Sequence, residues 1–206
     1  MRVYDKYILP KLIHWVCSHN DITSQRKKLI PHARGKVLEI GIGSGLNLPF
    51  YKAGNIDCLW GIEPLKQLQK IAEQNASDTP FNINFIGRSG EDIPLENSSA
   101  DTIVVTYTLC TILDIHKALK EMHRVLKPNG NLIFCEHGKA PAKNIAKWQN
   151  RLNPAWKRIA GGCNLNRDIP NLIKNCGFKI KHLDMMYMGN LKLISFNYQG
   201  FAVKRH

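Results

Sequence analysis

Glu39-Ile40-Gly41-Ile42-Gly43-Ser44-Gly45 is the stretch on which the reading of this chain turns. It closes a strand, Lys36–Gly41, bounded upstream by Gly35, and is expected to open a helix. Three alternating glycines at such a turn let backbone approach a ligand closely, because glycine takes backbone angles that a side chain forbids. The spacing excludes two common phosphate-binding patterns. A dinucleotide-binding dehydrogenase needs G-x-G-x-x-G, and Leu46 stands where its third glycine would be. No G-x-x-x-x-G-K-[ST] occurs, so the turn is not a P-loop.

Downstream, β-rich runs alternate with helical periodicity. Cys58–Glu63 is a second strand, and Pro64 suits the first turn of the helix after it, where Leu65, Leu68, Ile71 and Ala72 repeat at helical spacing. Asn82–Ile86 is a third strand, and Thr102–Tyr107 a fourth, apolar enough to be buried on both faces. Asp114 caps a helix to about Leu126 with Ile115, Ala118, Leu119, Met122 and Val125 on one face. Lys127–Gly130 reads as a stop and turn, and Asn131–Cys135 as a fifth strand. Helices are expected over Ala142–Arg158 and Asp168–Asn175, then strands over Phe178–Tyr187 and Leu191–Val203 joined by a hairpin near Gly189-Asn190. The β-α-β rhythm predicts an α/β fold, a doubly wound, mostly parallel sheet with helices on both faces. Without a linker or repeat, residues 1–206 read as one domain, with 1–35 a helical lid and 139–177 a helical segment on the substrate side.

Glu63 ends the second strand 18 residues after Gly45. At about that offset an acid meets ribose hydroxyls in doubly wound nucleotide sites, and a carboxylate accepts both hydrogens of a cis-diol. The predicted ligand is a nucleoside that needs no pyrophosphate.

Composition narrows the partners. With 44% hydrophobic and 22% charged residues the chain can bury a core, and no apolar run spans a bilayer. The Tyr7–Cys17 segment is too short and polar for a signal peptide. Residues 1–36 carry eight basic and two acidic groups, residues 37–138 eight and twelve, and residues 139–206 thirteen and two. Two basic arms thus flank an acidic centre, which predicts an anionic partner. We read it as a peripheral contact with an anionic membrane by a cytoplasmic protein, with Ile8, Leu9, Leu12 and Trp15 as a shallow apolar face. Nucleic acid is not expected, since no RNA-binding module or base-stacking motif is appended. Six scattered cysteines without a C-x-x-C read as reduced, mostly buried thiols, with neither disulfides nor a metal site.

The glycine turn, the acid after strand two, and Arg124-Val125-Leu126-Lys127-Pro128-Asn129-Gly130 before strand five together resemble the class I S-adenosylmethionine-dependent methyltransferases. The resemblance covers about residues 30–204 and implies a seven-stranded sheet with an antiparallel last strand. It implies that Glu39, Gly41, Gly43 and Gly45 form the methionine end of the cofactor site and that Glu63 holds the ribose. Ser89, Gly90 and Glu91 would meet the adenine, and Thr106 and Leu109 would lie against the cofactor and its methyl. Ser89 stands where an acid is usual, and no N-P-P-Y segment follows strand four.

Further segments are similar to the membrane-associated thiol S-methyltransferases of animals: Leu109-Cys110, Glu136-His137, Asn153-Pro154-Ala155-Trp156, Gly162-Cys163-Asn164-Leu165 and Tyr198–Lys204. That implies a small, apolar acceptor with sulfur favoured. Quinone C-methylation and phospholipid N-methylation stay open, as does a protein that binds cofactor without catalysis. His137 is the candidate general base, at a strand end on the ligand side of such sheets. Trp148 and Trp156, among Lys147, Arg151, Lys157 and Arg158, read as an aromatic-basic face over substrate or lipid.

Overall fold

A computed structural model describes Leu12, His14, Trp15 and residues 17–205. Ile8 and Leu9 lie outside the described residues. Seven strands, β1 Gly35–Ile40, β2 Ile56–Ile62, β3 Ile83–Ile86, β4 Ala100–Thr106, β5 Leu126–His137, β6 Phe178–Tyr187 and β7 Phe196–Lys204, form one sheet in the order β3-β2-β1-β4-β5-β7-β6. All neighbours are parallel except β5/β7 and β6/β7, so β7 alone runs against the rest. The doubly wound seven-stranded sheet with an antiparallel last strand is the expected architecture. The order reverses between β2-β1 and β4-β5, and ligands lie beyond the strand C-termini at such a switch point.

Helices α1 Asn20–Leu29, α2 Lys66–Asn75, α3 Ile115–Val125, α4 Lys143–Ile159 and α5 Ile169–Asn175 pack around the sheet. Asp114 caps α3 by accepting from Lys117 N at 3.0 Å, and Ile115, Ala118, Leu119, Met122 and Val125 are all buried, as their spacing predicts. Each fully buried large apolar side chain there contributes about 1.5–3 kcal/mol. From Thr102 to Thr106 every residue of β4 is buried, the pattern of a central parallel strand.

Three local expectations are corrected. The glycine turn opens no α-helix; Pro49 sits in a short 3-10 turn, Leu48–Phe50. Lys127–Gly130 is not a turn outside the sheet but part of β5, absorbed where pairing with β4 jumps from Ala100↔Leu126 to Thr102↔Asn131. The last strand starts at Phe196, not Leu191, because residues 188–195 form the hairpin connection. Gln149 anchors that connection: its amide donates to Gly138 O at 3.1 Å and Leu193 O at 2.9 Å, while its oxygen accepts from Ala140 N at 2.8 Å. At the outer edge, β6 presents Lys179 and Lys181 and its pairing with β7 shifts between Ile180 and His182.

Candidate functional site

A cavity of about 1040 Å³ opens over the C-terminal ends of β1, β2, β4 and β5. Its walls come from the glycine turn, Glu63, the segment 89–91, the α1 region, the end of α4 and the β6–β7 connection. Described residues from within 1–35, among them Arg26, and from within 139–177, among them Trp156 and Cys163, line this cavity.

At the β1 end, Gly41, Gly43 and Gly45 take φ of 68°, 59° and 81°, the left-handed region that glycine alone enters without strain. They differ in surroundings. A Cβ on Gly41 would lie 2.3 Å from Thr108 Oγ1, whereas one on Gly43 would meet nothing nearer than Gly41 O at 3.9 Å. Gly43 thus keeps cavity space clear. Glu39 lines the wall, but its carboxylate shores the turn, accepting from Asn47 Nδ2 at 2.8 Å and the Tyr51 hydroxyl at 2.6 Å. Burial pushes the Glu39 carboxyl up to about 7, against the pull of those two donors.

Glu63 ends up beside that turn. Its Oε2 accepts from Gly43 N at 3.1 Å and its Oε1 from Leu65 N at 2.9 Å. Burial raises its pKa while the two N–H groups oppose the rise. One side chain so ties the strand-two acid to the glycine turn, and each oxygen keeps a lone pair for a hydroxyl. Ser89, Gly90 and Glu91 line the same cavity, as does Thr106. Leu109 does not: its side chain is fully buried in the core, and only its backbone N serves the site, donating to Glu136 Oε1 at 2.9 Å. Glu136 also accepts from Thr108 N at 2.8 Å. It therefore positions the turn after β4, and burial pushes its carboxyl up to about 7.

Two features escaped the sequence. Arg26 of α1 is 4% exposed and lines the cavity, with Nε and Nη1 unpartnered and the guanidinium 5.5 Å from the Tyr107 ring centre. Tyr107 itself holds φ 53°, a strained angle for a side-chain-bearing residue and one common at functional sites. The second is a cluster at the β4–β5 end. His137 lines the cavity, yet its Nε2 faces the Cys163 sulfur at 3.0 Å, and Trp156 Nε1 donates to the same sulfur at 3.2 Å. Cys110 joins them, so three residues far apart in the sequence share one wall. The Cys163 thiol is held well below its ordinary range by hydrogen bonds from Cys110 and His137, against burial. Burial would lower His137, but the sulfur beside it wins and raises its pKa. Trp148, by contrast, is 54% exposed under Arg151 and does not line the cavity.

Fold, glycine turn and the acid at the end of β2 have the form of a class I methyltransferase. Residues 38–134 match the family model described as a methyltransferase domain. The chain is 35% identical over 153 residues to thiol S-methyltransferase TMT1B of Rattus norvegicus, covering 72% of this chain and 62% of that one. It is 30% identical over 183 residues to thiol S-methyltransferase TMT1A of Homo sapiens, covering 84% and 72%. The solved YcgJ protein of Bacillus subtilis superimposes with a TM-score of 0.71 at 16% identity, covering 91% of this chain and 99% of that one, a likeness of fold. The chain belongs to the S-adenosylmethionine-dependent methyltransferases. Within that class it stands close to the TMT1 group, although it spans less than two thirds of the length of the rat relative.

Proposed function

We propose that the chain transfers the methyl of S-adenosylmethionine to the sulfur of a small apolar thiol. The observation that carries this reading is the order of groups along the sheet edge. Glu63 and the glycine turn stand at the ends of β2 and β1, and the sulfur-and-imidazole cluster at the ends of β4 and β5. The cavity residues suit the cofactor: an open surface over Gly43, a carboxylate for the ribose, and in Arg26 a buried cation whose Nε and Nη1 are without hydrogen-bond partners, for a carboxylate. When bound, the cofactor supplies an activated methyl, so the protein's task is alignment, worth about 7–11 kcal/mol of barrier. A thiol reacts as thiolate, and the cluster is an environment that favours thiolates. His137 serves it through Cys163, to which its Nε2 is turned, rather than as an open base. The test is an assay with labelled cofactor across aliphatic thiols, quinones, phospholipids and RNA. Label must enter thiols in preference; transfer to quinone or phospholipid alone overturns the reading.

Two substitutions check the cofactor end. Glu63→Ala is expected to weaken cofactor binding by roughly 1.5–3 kcal/mol, the range for hydrogen bonds to charged groups. Equal binding of 2′-deoxy and intact cofactor analogues by the unaltered protein would remove the ribose role. Arg26→Met is expected to weaken the intact cofactor about tenfold or more and its decarboxylated analogue little, as loss of one charge-assisted contact predicts. Equal weakening of both ligands places Arg26 elsewhere.

We also propose that the cavity mouth rests on an anionic membrane. Trp15, Leu113, Ile159 and Leu191 are 58–90% exposed while lining the rim, and Lys157, Arg158 and Lys192 are exposed next to it in sequence. Each basic side chain near an anionic surface contributes about 1 kcal/mol. Among the described residues no helix is long and apolar enough to cross a bilayer. Co-sedimentation with phosphatidylserine-containing vesicles, weakened by salt, is expected; equal partition onto neutral vesicles speaks against it.

A further inference from the structure

We propose that Cys110, His137 and Cys163 form a binding site for a soft divalent cation, zinc by chemistry, whose fourth position faces the cavity and takes the acceptor sulfur. One nitrogen and two sulfur atoms lie within 4.8 Å of one another. Tetrahedral zinc, with bonds of about 2.3 Å to sulfur and 2.0–2.1 Å to nitrogen, sets its ligand atoms about 3.5–3.8 Å apart. Side-chain adjustments of under about an ångström reach that geometry. Two thiolates and an imidazole are a donor set that favours zinc over the hard cations. Three protein ligands with one position left open is the arrangement of a metal that handles substrate, not of a purely structural one.

The cluster is braced from behind. Asn164 donates twice to the Cys110 carbonyl, from its backbone N at 2.9 Å and its side chain at 2.8 Å, locking the two cysteine loops together. Asn153 accepts from Leu165 N at 2.8 Å and donates to Asn164 Oδ1 at 3.3 Å. The Arg167 guanidinium donates to the carbonyls of Leu109 and Ile112, pinning the β4 turn that carries Cys110. These braces run through the Asn153–Trp156 and Gly162–Leu165 segments. A preformed ligand set of this kind is what tight binding requires.

The metal site stands by itself; the role of its fourth position rests on the thiol reading above. On binding, both cysteine thiols release protons to solvent, and an entering acceptor R–SH releases its own. In the transfer, a sulfur pair of the acceptor forms the new S–C bond. The pair of the breaking C–S bond stays on the departing sulfur, so one methyl moves and charge balances. The thioether is a neutral, weak ligand and leaves.

The probe is Co2+, titrated into the reduced, metal-free full chain. The expected result is a sulfur-to-cobalt charge-transfer band in the near ultraviolet with intense tetrahedral visible bands, saturating at about one equivalent and displaced by Zn2+. Cys110→Ser and Cys163→Ser should each weaken binding more than about tenfold. Cys58→Ser, on β2 outside the cavity, should not. A small aliphatic thiol added to the cobalt form should shift the visible bands. Absence of the bands while all six thiols titrate as free, or bands unchanged in Cys110→Ser, overturns the site. A spectrum indifferent to thiol overturns the fourth-ligand role. Thiol methylation that persists undiminished in the metal-free chain overturns the fourth-ligand role and leaves the function standing. A cobalt-binding chain inert toward every thiol overturns the function and leaves the metal site standing.

Discussion

A Gly43→Val protein is expected to fold and to lose affinity for S-adenosylhomocysteine by about 100-fold or more, the equivalent of the roughly 3 kcal/mol at the upper end of overpacking costs. The two halves of that expectation have separate causes. A Cβ at Gly43 meets no protein atom closer than 3.9 Å, so the added side chain displaces nothing in the core. The strain of a branched residue at φ 59° costs the fold about 1–3 kcal/mol. The isopropyl group instead occupies the space in which backbone would meet ligand. Gly41→Val is the contrasting variant: its Cβ collides with Thr108 at 2.3–2.9 Å, so it should unfold the turn itself. Calorimetry decides the matter, and unchanged affinity in a folded Gly43→Val chain would falsify the assignment of this turn to the cofactor.

The second large effect concerns pH and Glu39. Its carboxyl titrates near 4.5 in the unfolded chain and near 7 when buried, so the folded state prefers it protonated. That contribution to stability is fully present below about pH 4.5, declines as pH rises, and is gone above about 7. The integrated loss is about 3 kcal/mol, at 1.36 kcal/mol per pKa unit. Glutamine carries no such dependence and still accepts one hydrogen bond from Asn47 or Tyr51. Relative to the unaltered protein, Glu39→Gln should therefore gain about 2–3 kcal/mol between about pH 5 and pH 8. Urea unfolding at both values measures the difference, and the other carboxylates cancel in it. A difference that stays flat with pH would show that Glu39 is ionised in the fold across this range.

How far these residues were legible in the sequence depends on how local their signal is. Alternating glycines after an apolar run announce a strand-end turn within seven residues, and Glu63 follows at a spacing that one crossover of short 3-10 turns makes regular. The α3 face is likewise written in a single 3.6-residue period. The metal-ligand set is written nowhere locally. Cys110, His137 and Cys163 are separated by 27 and 26 positions, and a cysteine inside an apolar run reads as core filling until topology places β4 beside β5. The similarity of the Leu109-Cys110, Glu136-His137 and Asn153–Leu165 segments to thiol S-methyltransferases hinted that something beyond cofactor binding was being built. Arg26 was hidden for a different reason. In a basic arm it looks like one more solvated charge, and only the docking of α1 against the sheet end buries it. Lys127–Gly130 carries strong turn chemistry, yet tertiary pairing with β4 overrode it, as sheet context routinely does.

The two ends of the sheet govern how this molecule behaves among its own copies. One border strand, β3, is four residues long. The other, β6, is ten residues long, but its outward row carries Lys179 and Lys181 and breaks register after Ile180. Lateral growth of β-structure needs a long, flat, uncharged row of free N–H and C=O groups. Neither border supplies one, so a protein with an apolar rim exposed around its cavity is guarded against polymerising through its sheet.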